Sequence, residues 1–303
     1  MRLDTVGSRV RKQGAMNGER DQAWLRIELT SRPEAARLAR SMATGAGEAL
    51  AFDDELLSDV NTAVTEACNN AILHAYGGRI GPLSVELGAG PEGIEVRVRD
   101  DGCGIGATVL PEHDGLKVGL ALMSALADRA EFASVPDGGT EVRLSFGALA
   151  RALPMPWTSR LGDRDEFSAW EAGLHPGLAG DVVLTVSPVA LLAPVLGRLG
   201  RALAPSAGFS PQRCSDVYLL SEVLGAHAER AAEAGSISVA LRARDRKLEL
   251  ALAPLRAGSS AGLDRAGPPQ RPDPLARLTE DVIVSTFDGH ETLRVSMHDH
   301  LRA

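Results

Sequence analysis

The hydrophobic pattern is clearest between residues 53 and 76. Val60, Ala63, Val64, Ala67, Cys68, Ala71, Ile72 and Ala75 recur at i, i+3 and i+4, which predicts a helix from about Asp53 to Tyr76 with one buried face. Gly77-Gly78 follows and ends it in the manner of a C-cap. Beside the stripe, each one turn from the next, stand Glu66, Asn70 and His74. A polar line along the border of an apolar face fits either a solvated edge or one wall of a cleft.

Alternation marks the strands. LRIEL (25–29), PLSVEL (82–87) and GIEVRVRD (93–100) read as strands, the last two as a hairpin. TSRPEAARLARSM reads as a helix with Thr30 or Ser31 as cap and Pro33 in the first turn. GLALMSALAD (119–128) predicts another helix, followed by strands near 131–135 and 141–146 around PDGGT. Two helices between the first strand and the hairpin, then helix and two strands, predict an α+β fold: a two-layer α/β sandwich.

The same order starts again further on. Residues 1–22 read as a flexible leader, 23–147 as the first unit, and 148–178 as a linker with a weak helix near 163–172. In 179–303, VVLTV (182–186), a helix opened by Ser187-Pro188, a long helix in QRCSDVYLLSEVLGAHAERAAEAG, a hairpin around RDR, then EDVIVST and ETLRVSM repeat the pattern. DGGTEVRLSF (137–146) and DGHETLRVSM (288–297) match without gaps at Asp, Gly, Arg and Ser. The expectation is a duplicated fold with a period of about 120 residues, too long for a solenoid unit.

Composition changes this picture little. The net charge of -8 argues against nucleic acid as a partner, since phosphate contacts need a basic field. Cys68, Cys103 and Cys214 are odd in number, widely spaced and outside metal-ligand patterns, so free thiols in a reducing compartment are expected. No stretch approaches the roughly 20 apolar residues of a membrane span, and the leader has no apolar h-region; the expected address is the cytoplasm.

Candidate chemistry gathers in the first unit. Glu66 could act as a general base, and the amide oxygen of Asn70 is a hard neutral ligand suited to magnesium. Alternation gives Asp100 the parity of Val96 and Val98, so its carboxylate points to the core side, where it needs a partner. Gly102 and Gly104 follow it and allow close backbone approach, so the stretch suits either a simple turn or an acceptor for an amino group such as that of adenine. Gly119 before the apolar helix, with Lys117 just upstream, suggests a helix N-terminus offering N–H groups to phosphate. Gly139-Thr140 adds a tight turn followed by a hydroxyl.

In this order, Glu66-x-x-x-Asn70, Asp100-x-Gly102-x-Gly104, Gly119 and Gly139-Thr140 resemble the nucleotide-binding boxes of the ATPase superfamily shared by gyrase, histidine kinases and MutL. TEACNNAILHAY (65–76) is most similar to the small bacterial anti-sigma-factor serine kinases. That resemblance implies the Bergerat, histidine-kinase-like ATPase fold with ATP and Mg2+ as cofactors. It implies Glu66 as the base for a serine hydroxyl, Asn70 as the magnesium ligand and Asp100 as the adenine acceptor. His74, Gly102, Gly104, Ile105, Lys117, Gly119, Leu120, Gly139 and Thr140 complete the nucleotide site. It also implies a sigma factor and an antagonist protein as partners. Two departures stand out: Lys117 occupies a position that is commonly glycine in the family, and the loop from Gly106 to Lys117 is short and contains Pro111. The alternative they leave open is a catalytically silent, nucleotide-gated binding module.

In the second unit Glu222 matches Glu66, but Ala226 stands for Asn70, Pro254 for Asp100, Arg256 for Gly102 and Glu291 for Thr140. This copy is expected to be degenerate and not to bind ATP, and residues 256–274 are expected to form a flexible loop. It would serve as an intramolecular pseudo-dimer partner or as a protein-binding surface, with a homodimer as the other assembly.

Overall fold

A computed structural model describes residues 23–90, 93–104, 114–135, 138–147, 178–261, 263 and 274–300, with the side chains of 114–117 excepted. The expected leader, most of the linker and its weak helix, Ile105 and the loop up to 113 lie outside the described residues.

In the first half, β1 (Ala23–Thr30) leads to α1 (Ala35–Ala49) and α2 (Asp54–Asn70). The hairpin β2 (Pro82–Gly90) and β3 (Gly93–Asp100), helix α3 (Asp114–Leu126), β4 (Arg129–Ser134) and β5 (Thr140–Phe146) follow. In the second half come β6 (Val182–Ser187), α4 (Leu192–Leu203), α5 (Pro211–Ala231), β7 (Ile237–Arg244), β8 (Lys247–Arg256), α6 (Pro274–Leu278), β9 (Asp281–Phe287) and β10 (His290–His298). The short α6 begins at Pro274, the last residue of the stretch expected to be loop.

The ten strands of the described residues form one antiparallel sheet in the order β4-β5-β3-β2-β1-β6-β7-β8-β10-β9. The strands of the second half run outward from the centre in the sequence 6-7-8-10-9, against 1-2-3-5-4 in the first. The halves meet where β1 pairs with β6, from Trp24 opposite Ser187 to Glu28 opposite Val183. The helices bury the face carrying Leu25, Ile27, Val85, Leu87, Val96 and Leu144, and the core continues through Leu184, Val186, Val239, Leu241 and Leu252 without a break at the seam. Above the seam α1 crosses α4 so closely that a Cβ on Gly45 would stand 2.9 Å from the Val195 Cα. There Arg198 Nε donates to Glu48 at 3.0 Å, and Arg37 Nη2 donates to Ser206 Oγ at 3.0 Å.

Local signals explain most boundaries, with two corrections. Asp53 caps α2 by accepting from the Leu56 N–H at 2.8 Å, worth about 1 kcal/mol. Of the predicted stripe, Val60, Ala63, Val64, Ala67, Cys68, Ala71 and Ala75 are buried, and Ile72 packs against them partly exposed. Neither Thr30 nor Ser31 caps α1: the cap position is Glu34, without a side-chain bond. Ser31 is engaged elsewhere, its Oγ accepting from the Gly81 N–H at 2.9 Å, so the chain turns once more before the helix begins. Helix α3 begins at Asp114 rather than at Gly119, which changes the part Gly119 plays.

Beyond Asn70 the helix widens into π turns over Ala71–Ala75 before Gly77 and Gly78 take φ of +58° and +82°. Such single wide turns concentrate at functional sites.

Candidate functional site

The C-terminal part of α2, the π turns, the end of β3, the start of β5 and the inner side of α3 line one cleft. Ala67, Asn70, Ala71, His74, Ala75, Val98, Asp100, Cys103, Gly104, Leu120, Thr140 and Val142 line it. Asn70, His74, Asp100, Gly104, Leu120 and Thr140, all singled out from sequence, thus share one space. Ala67, Ala71, Val98 and Val142 make its apolar side. Val98 and Val142 have the parity of Asp100 and Thr140 along their strands, a signal available in the alternation itself. Cys103 also faces the cleft, and was expected only as a free thiol; none of Cys68, Cys103 and Cys214 is in a disulfide.

Glu66, Asn70 and His74 are each half-buried, at the edge of the stripe. Gly119 lies on the helix facing them. A Cβ there would stand 3.2 Å from Glu66 Oε2 and 3.3 Å from both amide atoms of Asn70. Gly119 is therefore not a helix N-terminus but a gap in the second turn of α3, through which two polar side chains of α2 fit. The Asn70 Nδ2 is buried and has no hydrogen-bond partner among the described residues. A buried donor left unpaired costs on the order of 1–3 kcal/mol, which an acceptor brought by a ligand would offset.

At the other end, Asp100 is 6% exposed. Its Oδ1 accepts from the Gly102 N–H at 2.9 Å and the Thr140 N–H at 3.2 Å. Burial pushes its carboxyl above the ordinary aspartate value, with the two backbone N–H groups pulling the other way. Both backbone bonds use Oδ1, and the Thr140 side chain adds a further hydrogen bond to the carboxylate, whose two oxygens still have lone pairs for a ligand donor. The turn before β5 closes against this site: Gly139 takes φ of +96°, and a Cβ on it would stand 2.0 Å from the Asp100 carbonyl oxygen. Only glycine satisfies both conditions. Gly102 stands against the end of the π turns, whereas Ile105 and the side chain of Lys117 lie outside the described residues. Among the described residues no group of three His, Cys, Asp or Glu could hold a metal ion, so Asn70 would need oxygen ligands from elsewhere to complete a magnesium shell.

Glu291, opposite Thr140 in the alignment of the two halves, accepts from the Gly258 N–H, and from the Ser260 N–H at 2.9 Å. Ser260 is fully buried and its Oγ lies 3.1 Å from His227 Nε2. Burial pushes the Glu291 carboxyl up, but the N–H groups of Ser260 and Gly258 outweigh it and hold it below the usual glutamate value.

Comparison with known proteins places a known domain in the first half of the chain. Residues 29–146 match the model of the histidine kinase-like ATPase domain. The chain is similar to an anti-sigma F factor of Caldanaerobacter subterraneus, at 28% identity over 130 residues, 40% of this chain and 91% of that protein. It is similar to the serine-protein kinase RsbW of Bacillus licheniformis, at 30% identity over 120 residues, 35% of this chain and 74% of that protein. With the Listeria innocua RsbW it shares 34% over 77 residues, 25% of this chain and 49% of that protein. No helix among the described residues is long and apolar enough to cross a membrane.

Proposed function

Because this chain belongs to the histidine kinase-like ATPase family, with residues 29–146 as its member domain, we propose that residues 23–147 bind ATP with Mg2+ and serve as an anti-sigma-factor serine kinase module. The observation that carries the reading is the convergence of Glu66 and Asn70 on Gly119, with Asp100 across the same cleft from Asn70. Asp100 accepts from the adenine amino group. Asn70 would hold magnesium through its Oδ1, a hard neutral oxygen donor. Magnesium held there would supply positive charge to offset that on the transferred phosphoryl group.

Glu66 takes the proton of a serine hydroxyl brought by an antagonist protein. The serine oxygen bonds to the γ-phosphorus as the bond to the bridging oxygen breaks and ADP leaves. His74, at the cleft wall one turn beyond Asn70, and Leu120 close on the nucleotide. A sigma factor is the second partner, held or released according to the state of the antagonist, and the working compartment is the cytoplasm. Incubation with γ-labelled ATP and the cognate antagonist tests this: label on a serine, lost in Glu66→Gln, is expected. Tight ATP binding without transfer to any cognate candidate would leave only a nucleotide-gated binding module.

For residues 179–303 we propose a degenerate repeat acting as a built-in pseudo-dimer partner. The outward strand order on both sides of β1 and β6 supports this, as does the α1–α4 crossing above them. A monomeric mass in solution is expected; a stable dimer joined through second halves would contradict it.

A further inference from the structure

The stretch from Asp100 to Cys103 is gripped by the end of the π turns, which forms one wall of the cleft. The Ala75 carbonyl, orphaned at the helix end, accepts from the Cys103 N–H at 2.9 Å. A Cβ on Gly102 would stand 2.3 Å from that carbonyl oxygen, so the two segments touch backbone to backbone. One residue on, the Tyr76 hydroxyl accepts from the Asp101 N–H at 2.8 Å and donates to the Pro82 carbonyl. The ring lies over Gly81, where a Cβ would meet Cε1 at 2.1 Å. Leu83 is the β2 residue paired with Asp100, so the phenol joins β2 and β3 one step past their last paired residues. Asp100 Oδ1 is meanwhile fixed by Gly102 and Thr140.

From this geometry we propose that Tyr76 is a positioning residue for base selectivity: its hydroxyl holds the Asp100–Asp101 peptide so that the Asp100 carboxylate presents a remaining lone pair to an exocyclic amino group. The inference rests on the nucleotide-binding reading above. Without the hydroxyl, Asp101 turns its N–H to water and the Pro82 carbonyl loses its donor. The strand end then gains freedom to rotate, and with it the carboxylate. Phosphate contacts through Asn70 lie on the other side of the cleft and are untouched. The effect therefore falls on the part of affinity that depends on the amino group, and not on affinity as a whole.

The test uses the full chain and two probes, ATP and purine riboside triphosphate, which lacks only the 6-amino group. Calorimetry on the wild type and Tyr76→Phe gives four affinities. The wild type is expected to prefer ATP by about tenfold or more, the order of one charge-assisted hydrogen bond. In Tyr76→Phe that preference is expected to shrink by about fivefold to tenfold, with purine riboside triphosphate affinity unchanged. Hydrogen exchange of the Asp101 amide, read without nucleotide, is expected to quicken. Equal weakening of both probes, or an unchanged ratio, would overturn the proposal, and so would an unchanged Asp101 exchange rate. A wild type that binds neither probe would instead bring down the nucleotide reading on which this rests.

Discussion

Gly119 and Asn70 meet across the α2–α3 contact with so little room that a methyl group on the glycine would lie 3.3 Å from both amide atoms. The helix face of α3 is thus shaped around the polar line of α2. Gly119→Ala gains helix propensity of about 1 kcal/mol while crowding Asn70 and Glu66. The melting temperature is expected to hold or rise while ATP affinity falls severalfold. Gly119→Val is expected to abolish binding in a folded protein. Thermal melting beside calorimetry checks both.

Asp100→Asn keeps the shape of the side chain but replaces the acceptor. A loss of at least about tenfold in ATP affinity is expected, the cost of one charge-assisted hydrogen bond, with little change for purine riboside triphosphate. Since burial raises the Asp100 carboxyl above its ordinary 3.8, acidification should protonate it sooner than a solvated aspartate. The preference for ATP over the amino-less analogue should therefore fade at a pH above that value. A preference constant down to pH 4 would contradict the assignment.

The face of the sheet opposite Leu25 and Ile27 carries a lattice of charge. Arg97 lies 3.6 Å from Glu86 and 3.7 Å from Glu95, and Arg26 lies 3.6 Å from Glu86. Burial nonetheless raises both glutamate carboxyls above the ordinary 4.5, the arginines opposing it. A carboxyl raised on folding binds its proton more tightly in the native state, so its contribution to stability falls as pH rises from the unfolded value through the folded one. Glu95→Gln should remove part of that fall. The wild-type stability minus that of Glu95→Gln, from urea melts at several pH values, is expected to be greater below this window than above it.

Glu291→Gln should act on stability alone. Its carboxylate takes two backbone N–H groups in the second half, and bonds to a charged acceptor are each worth about 1.5–3 kcal/mol. Because this carboxyl is held below 4.5, its contribution is present above the unfolded value and is lost as pH falls through the folded one. The variant is expected to unfold at lower denaturant near neutrality and to bind ATP as the wild type does. A parallel loss of ATP affinity would show that the halves are coupled more tightly than the shared sheet requires.

Periodicity alone reveals most of the architecture, because the stripe from Val60 to Ala75 and the alternation of Ile94, Val96, Val98 and Asp100 each have one burial-compatible reading. The inward parity of Asp100 locates one end of the cleft before any coordinates. What periodicity misses depends on contacts between distant segments. Ser31 looks like a helix cap but is drawn away by Gly81, fifty residues on. Gly119 looks like a helix start because glycine is a breaker locally, whereas its use is to admit side chains from α2. The π turns at 71–75 leave no mark in a stripe that α-helical spacing already satisfies. The role of Tyr76 is hidden for the same reason: its partners, Pro82 and Asp101, are brought to it only by the hairpin.

The geometry of α2, β3 and α3 calls for one nucleotide site per chain, in the first half. Calorimetric titration of the full chain with ATP and magnesium reads that stoichiometry. One ATP per chain is expected, lost in Asn70→Ala and retained in Glu222→Ala. Two equivalents per chain, or binding that survives Asn70→Ala, would contradict it.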